Sequence, residues 1–199
     1  MLVRKLQQVF PWMVFTIPGT KKALYLTFDD GPHPDITPWL LSLLEAYNAR
    51  ATFFCIGKQV AENPMLYQRI LENGHRTGNH TYQHLHALRH KTSAFMNDVY
   101  QASEFIDSTL FRPPYGKIRI KPLIQLKKKY TIVFWDVLSY DFSFQEPEKC
   151  FKRVISKTKA GSILVFHENK KSEKVMKNTL PRVLDYYSQK GYTFSSIPH

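Results

Sequence analysis

The chain has 199 residues, 43% of them hydrophobic and 14% aromatic, enough apolar material for one sizeable core and too much for a disordered polymer. Two cysteines, Cys55 and Cys150, with no Cys-x-x-Cys pair, exclude a disulfide framework and a thiolate zinc site. The formal charge of +12 is uneven: residues 101–199 carry 18 Lys and Arg against 9 Asp and Glu, but no nucleic-acid motif accompanies them, so nucleic acid is excluded as a partner and most of these lysines read as solvated surface.

Arg4 and Lys5 precede a short apolar stretch, Val9 to Phe15, but Gln7, Gln8 and Pro11 break it and no small-residue cleavage site follows. We read residues 1–19 as an extended segment packing on a single domain that runs from 20 to 199. No stretch is long enough to form a transmembrane segment, and with no export signal the sequence places the chain in the cytoplasm. The sequence carries no signal for an oligomeric state.

Residues 23–28 form an apolar strand that runs into Asp29-Asp30-Gly31-Pro32. Neighbouring side chains at a strand end point different ways, so the two carboxylates suit different tasks: one can hold a cation while the other takes a proton. Taken alone, the same four residues are an ordinary turn. Residues 37–47 carry apolar positions at helical spacing, with Pro38 in the first turn. Residues 52–56 form a continuous apolar strand, 64–72 a helix stopped by Asn73-Gly74, and 75–79 a short strand. Helices follow at 93–106, 117–128, 148–157 and 173–187, and strands at 109–111, 131–135, 162–166 and 192–195. Short apolar strands alternating with helices indicate parallel α/β units, and about seven such units suggest a closed or nearly closed barrel. In such barrels the chemistry gathers at the C-terminal strand ends.

The reactive residues fall there. After Asp29-Asp30 comes His80-Thr81-Tyr82-Gln83-His84, whose two histidines at i and i+4 would share one face of a helical turn. Two imidazoles with Asp30 make a three-ligand set for a catalytic divalent metal that leaves positions open for water. Arg112-Pro113-Pro114-Tyr115-Gly116 follows the next strand, as a rigid loop or as a guanidinium clamp for a carboxylate. Asp136 and Asp141 flank a further loop, and Asp136 reads as a plain cap or turn former. His167 ends the buried run Ile163-Leu164-Val165-Phe166, either as a polar terminus or as a proton donor.

Taken together, these five stretches resemble the polysaccharide deacetylases of the NodB-homology type, carbohydrate esterase family 4, over roughly residues 20 to 199. The resemblance implies a distorted (β/α)7 barrel of parallel strands and a hydrolase that removes N-acetyl groups from amino-sugar glycans. It implies Asp30, His80 and His84 as ligands of one divalent metal ion, zinc first, with cobalt, nickel or manganese as alternatives. It implies Asp29 as the base that activates the metal-bound water, and His167 as the acid that protonates the leaving amine. Arg112 would orient Asp29, Asp141 would tune His167, and the backbone N–H of Tyr115 would complete an oxyanion hole. The acyl pocket would be lined by Phe142, Val165 and Pro113. Phe142 stands where the family has Trp, and Val165 where it has Leu, so the pocket stays apolar but changes shape, leaving acetyl and formyl groups both open. The expected partner is an acetylated glycan or oligosaccharide. The family habit favours the cell envelope or the extracellular space, against the cytoplasmic reading of the sequence alone. Two alternatives remain: an O-acetyl esterase or other C–N amidohydrolase on a non-polymeric substrate, and a catalytically weak glycan-binding protein.

Overall fold

The computed structural model of the chain describes residues 10, 12–19 and 22–198. Arg4, Lys5, Val9 and Pro11, which carry the reading of the N-terminus, lie outside them. Nine strands form one sheet: β1 (Met13–Val14), β2 (Ala23–Asp29), β3 (Ala51–Cys55), β4 (Arg76–Asn79), β5 (Leu110–Phe111), β6 (Thr131–Val133), β7 (Val137–Leu138), β8 (Ile163–His167) and β9 (Thr193–Phe194). They run in the order β1-β6-β5-β4-β3-β2-β8-β7, with β9 beside the start of β2. All the strand pairings are parallel. The edge strands β1 and β7 do not pair with each other, so the sheet is a curled, open version of the expected barrel. An antiparallel bridge between Thr16 and Ser162 ties the chain after β1 to the start of β8. Within the segment 1–19, Met13–Val14 thus lies in the sheet, beside Ile132 and Val133.

Among the described residues seven α-helices cover the outside: α1 (Thr37–Ala46), α2 (Gly57–Glu62), α3 (Pro64–Glu72), α4 (Thr92–Ala102), α5 (Ile120–Leu126), α6 (Pro147–Lys157) and α7 (Glu173–Gln189). The sequence reading has no counterpart for α2, because Gly57 looks like a strand stop; it is instead the first residue of a helix. Pro122 is the third residue of α5. A first-turn N–H has no intrahelical partner to lose, so the proline starts the helix late rather than breaking it.

Alternation along the strands sorts the core. On β2, Leu24, Leu26 and Phe28 join Leu40, Leu44, Val154, Leu180 and Leu184 in the outer layer between sheet and helices. A second outer cluster joins Phe95 and Val99 of α4 to Phe111 and Ile132. Tyr25 faces the other way, with Phe54, Leu110, Val133 and Ile163, and these side chains fill the interior at its lower end. Each fully buried residue of this kind contributes about 1.5–3 kcal/mol. Asp29 and His167 continue the inward-facing rows four residues on from Tyr25 and Ile163, and Arg112 two on from Leu110, so the packed interior forms the floor beneath the C-terminal strand ends. Among the described residues no helix is long and apolar enough to cross a membrane.

Candidate active site

Arg112 leaves the end of β5 and is fully buried, the largest such side chain among the described residues. Its guanidinium donates to Asp29 Oδ1 at 2.6 Å, to Thr27 Oγ1 at 2.8 Å, and to the carbonyls of Val133 and Phe134 at 3.2 and 3.1 Å. It lies over the ring of Phe54, 4.0 Å from the centroid. A buried cation is tolerable only with its donors satisfied and its charge paired, and Asp29 supplies the charge. One Asp29 oxygen is thereby occupied, and Oδ2 faces His80 Nε2 at 3.9 Å.

Asp30 follows in a left-handed conformation, φ 83, which turns its side chain away from that of Asp29. Short polar residues reach this region more readily than others. Its Oδ1 lies 3.3 Å from His84 Nε2 and 3.7 Å from His80 Nε2. The three residues offer ligand atoms that all lie within 4.8 Å of one another. His80 Nδ1 donates to the Arg112 carbonyl at 2.7 Å, which leaves Nε2 as the free lone pair. Burial lowers the His80 pKa to about 4, so the ring is neutral, as a ligand must be. Burial works against the charge of Asp30, but the imidazoles of His167, His80 and His84 and a hydrogen bond from Asn169 hold it below the ordinary carboxylate range. Oδ1 of Asp30 is buried without a hydrogen-bond partner. An orphaned oxygen costs about 1–3 kcal/mol, and a cation between these three residues would satisfy it. The donor set, two neutral imidazoles and one carboxylate, fits a divalent transition metal.

The helical turn expected at 80–84 is not there. Thr81 and His84 have φ of 66 and 58, and the segment is a loop. Asn79 Oδ1 accepts the Thr81 N–H at 2.8 Å, and the buried Asp98 of α4 accepts the N–H groups of Tyr82 and Gln83 at 3.1 Å. The two rings still converge, with centroids 5.0 Å apart, because these side chains shape the loop.

On the other side, fully buried Asp141 accepts from the His167 backbone N–H at 2.7 Å and from His167 Nδ1 at 2.8 Å. Burial disfavours the imidazolium, but the hydrogen bond and charge of Asp141, with the charges of Asp30 and Asp29 beyond, raise the His167 pKa to about 9. Phe142 packs edge-on against the His167 ring, centroids 4.8 Å apart. Asp136 is structural, as expected of a turn former: it accepts from Ser162 Oγ and the Ile163 N–H, both at 2.8 Å, and pins the start of β8.

These groups line one cavity of about 420 Å³, bounded by Asp29, Asp30, His80, His84, His167, Tyr115, Trp135, Leu138, Phe142, Asn169, Lys117 and Lys171. Tyr115 has φ 61, and its exposed ring packs against His84 and His86, 4.7 and 4.8 Å away. Of the three residues assigned to the acyl pocket, Phe142 lines the cavity. Val165 and Pro113 do not: Val165 is fully buried two residues below His167, and Pro113 is buried at the start of its loop. Trp135 and Leu138 take the apolar wall instead.

The family model described as polysaccharide deacetylase matches residues 16–134. This chain belongs to the polysaccharide deacetylase family. A peptidoglycan-N-acetylglucosamine deacetylase of Bacillus cereus is 32% identical over 205 aligned positions, covering 99% of this chain and 96% of that protein. A chitooligosaccharide deacetylase of Bradyrhizobium is 32% identical over 161 positions, covering 76% of this chain and 73% of that protein. The crystal structure of the Bc1960 peptidoglycan N-acetylglucosamine deacetylase, in complex with 4-naphthalen-1-yl-N-oxidanyl-benzamide, superposes with a TM-score of 0.90 at 27% identity, covering 96% of this chain and 94% of that one.

In this polysaccharide deacetylase, several residues at the site carry no mark in the sequence. Asn169 donates from Nδ2 to Asp30 Oδ2 at 2.6 Å. Trp135, Leu138, Lys117 and Lys171 meet only because the end of β7 and the loops after β5, β6 and β8 converge. Asn169 had the one available signal, its place two residues after His167.

Proposed function

We propose that the chain hydrolyses N-acetyl groups of amino-sugar glycans, using a divalent metal ion, zinc first, held by Asp30, His80 and His84. The observation that carries this reading is the unpartnered Asp30 Oδ1 between two imidazole Nε2 atoms, flanked by the Asp29–Arg112 and His167–Asp141 pairs around one cavity.

When bound, the metal supplies a Lewis acid that stabilises negative charge on oxygen. The residues of the chain divide the remaining work. Arg112 engages Oδ1 of Asp29 and holds the carboxylate in place, leaving Oδ2 to take a proton from the attacking water. Asp141 accepts the hydrogen bond from the Nδ1–H of His167 and stabilises the charged ring, so the transferable proton sits on Nε2. Water oxygen bonds to the acyl carbon, the C–N bond breaks, His167 gives its proton to the departing nitrogen, and acetate and a free amine result. The turned backbone at Tyr115 would direct its N–H at the developing oxyanion. Trp135, Leu138 and Phe142 would enclose the acyl methyl and exclude bulk water.

Acetate release from acetylated chito-oligosaccharides and peptidoglycan fragments tests the reading. A chelator should abolish it and zinc or cobalt restore it. Full activity after exhaustive metal removal would overturn it.

A further inference from the structure

The charges deep in the cleft are matched. Asp29 faces Arg112, Asp141 faces His167, and Asp30 faces the proposed cation. Two charges at its mouth are not. Lys117 and Lys171 are exposed and line the cavity, and among the described residues no acidic side chain lies within ion-pair distance of either. Lys170, next in the chain to Lys171, is paired with Asp35 and Glu173 at 2.6 and 3.2 Å. Lys171 instead lies over the Phe142 ring, 5.6 Å from its centroid.

The two lysines stand on different walls. Lys117 follows β5 and Lys171 follows β8, with β4, β3 and β2 between them in the sheet. Each wall carries an aromatic ring as well as an ammonium: the Tyr115 ring, 57% exposed, lines the cavity on the Lys117 side, and on the other side Lys171 lies over Phe142. A ring face and a nearby cation suit a sugar that bears a carboxylate, the sugar stacking and the carboxylate meeting the ammonium. The Lys117 wall has no acid to offset it, because residues 108–135 contain seven Lys and Arg and no Asp or Glu. A cleft with this surplus of positive charge raises the local concentration of anionic ligands.

We infer that Lys117 and Lys171 select glycans whose sugars next to the residue under attack carry carboxylates, over neutral glycans of the same backbone. This inference rests on the deacetylase reading and adds the charge of the substrate to it.

The test compares two probes: a β-1,4-linked N-acetylglucosaminyl–N-acetylmuramyl tetrasaccharide with free lactyl carboxylates, and the same tetrasaccharide with those groups as methylamides. For the metal-loaded wild-type chain, kcat/KM for acetate release should favour the charged form on the order of 10-fold, as expected of two exposed ion contacts, with the difference in KM. Raising NaCl to about 0.5 M should shrink the ratio. The double substitution Lys117→Gln, Lys171→Gln should bring it close to unity. A wild-type ratio at or below unity, or a ratio the double substitution leaves unchanged, overturns the selectivity while leaving the deacetylase reading intact. Absence of acetate from both probes defeats that reading, and the inference with it.

Discussion

Asn169 holds Asp30 by the oxygen that faces away from the two histidines. Its Oδ1 accepts the Ser172 N–H at 3.0 Å, which orients the amide and makes Nδ2 the donor to Asp30 Oδ2. Oδ1 of Asp30 is thereby left as a single ligand atom, aimed at His80 and His84. Asn169→Ala should raise the metal dissociation constant about 10–100-fold, in line with other residues that orient a metal ligand. Competition with a chromophoric chelator measures this without recourse to activity. The metal-free variant should lose only about 1 kcal/mol, from the lost contact at the start of α7. An affinity within twofold of wild type would show that Asn169 does not act on the ligand.

His167 must hold a proton to serve as acid. Its pKa of about 9 keeps it charged through neutral pH, so kcat/KM should fall as pH rises through that value. Asp141→Asn removes the charge that sustains the imidazolium, and the alkaline limb should move down toward the ordinary histidine range. The same shift is a stability effect. Folding favours the protonated ring, so the contribution is fully present below the unfolded value near 6.5 and is lost as pH rises through about 9. The cost of Asp141→Asn should therefore be largest below about pH 6.5, decline from there and vanish above about pH 9. An alkaline limb that does not move would remove His167 from the acid role.

The reactive strand ends are legible because each follows an apolar run, and Asp29-Asp30 and Arg112 also precede a breaker pair. Asp29, Arg112 and His167 stand where strand alternation turns them inward, and one sequence suffices to see it. The loop 80–84 was misjudged because an i, i+4 histidine pair looks helical, whereas its shape comes from Asp98, a buried acid in the middle of α4 with no local signal. The apolar wall of the cavity differs from the expected acyl pocket for a related reason. Val165 is fully buried below His167, while Trp135 after β6 and Leu138 at the end of β7 reach the cavity through a convergence that no spacing encodes.

Asp29→Asn and Asp30→Asn should fail differently. Asparagine at 29 can still accept from Arg112 but cannot take a proton as a carboxylate does, so turnover should fall about 10²–10⁴-fold with metal affinity nearly kept. It also leaves the Arg112 charge unpaired, and melting should show the loss. Asparagine at 30 weakens a ligand, so metal affinity should fall first, and excess metal should recover part of the rate. Titration of metal into both variants, with acetate release read in parallel, separates the two. Matching behaviour would contradict the division of roles between the paired carboxylates.

Glu168 carries a separate pH signature. Its carboxyl is buried behind the Asp29–Pro32 turn, so close to Gly31 that any side chain there would collide with it. The Thr37 hydroxyl donates to Oε1, and Oε2 has no partner. Burial raises the pKa to about 8, against the opposing hydrogen bonds from Thr37 and the His33 backbone, so the acid is protonated in the folded protein at neutral pH. The unfolded chain gives up this proton near 4.5, and stability should fall as pH rises from there toward 8. Glu168→Gln keeps the shape and removes the proton equilibrium. Its stability should match or trail wild type at about pH 5 and exceed it at about pH 8, by on the order of 3 kcal/mol. Urea unfolding of the metal-free proteins at the two pH values measures the difference. A stability gap between variant and wild type that is the same at both would show that Glu168 does not cross its titration range on folding.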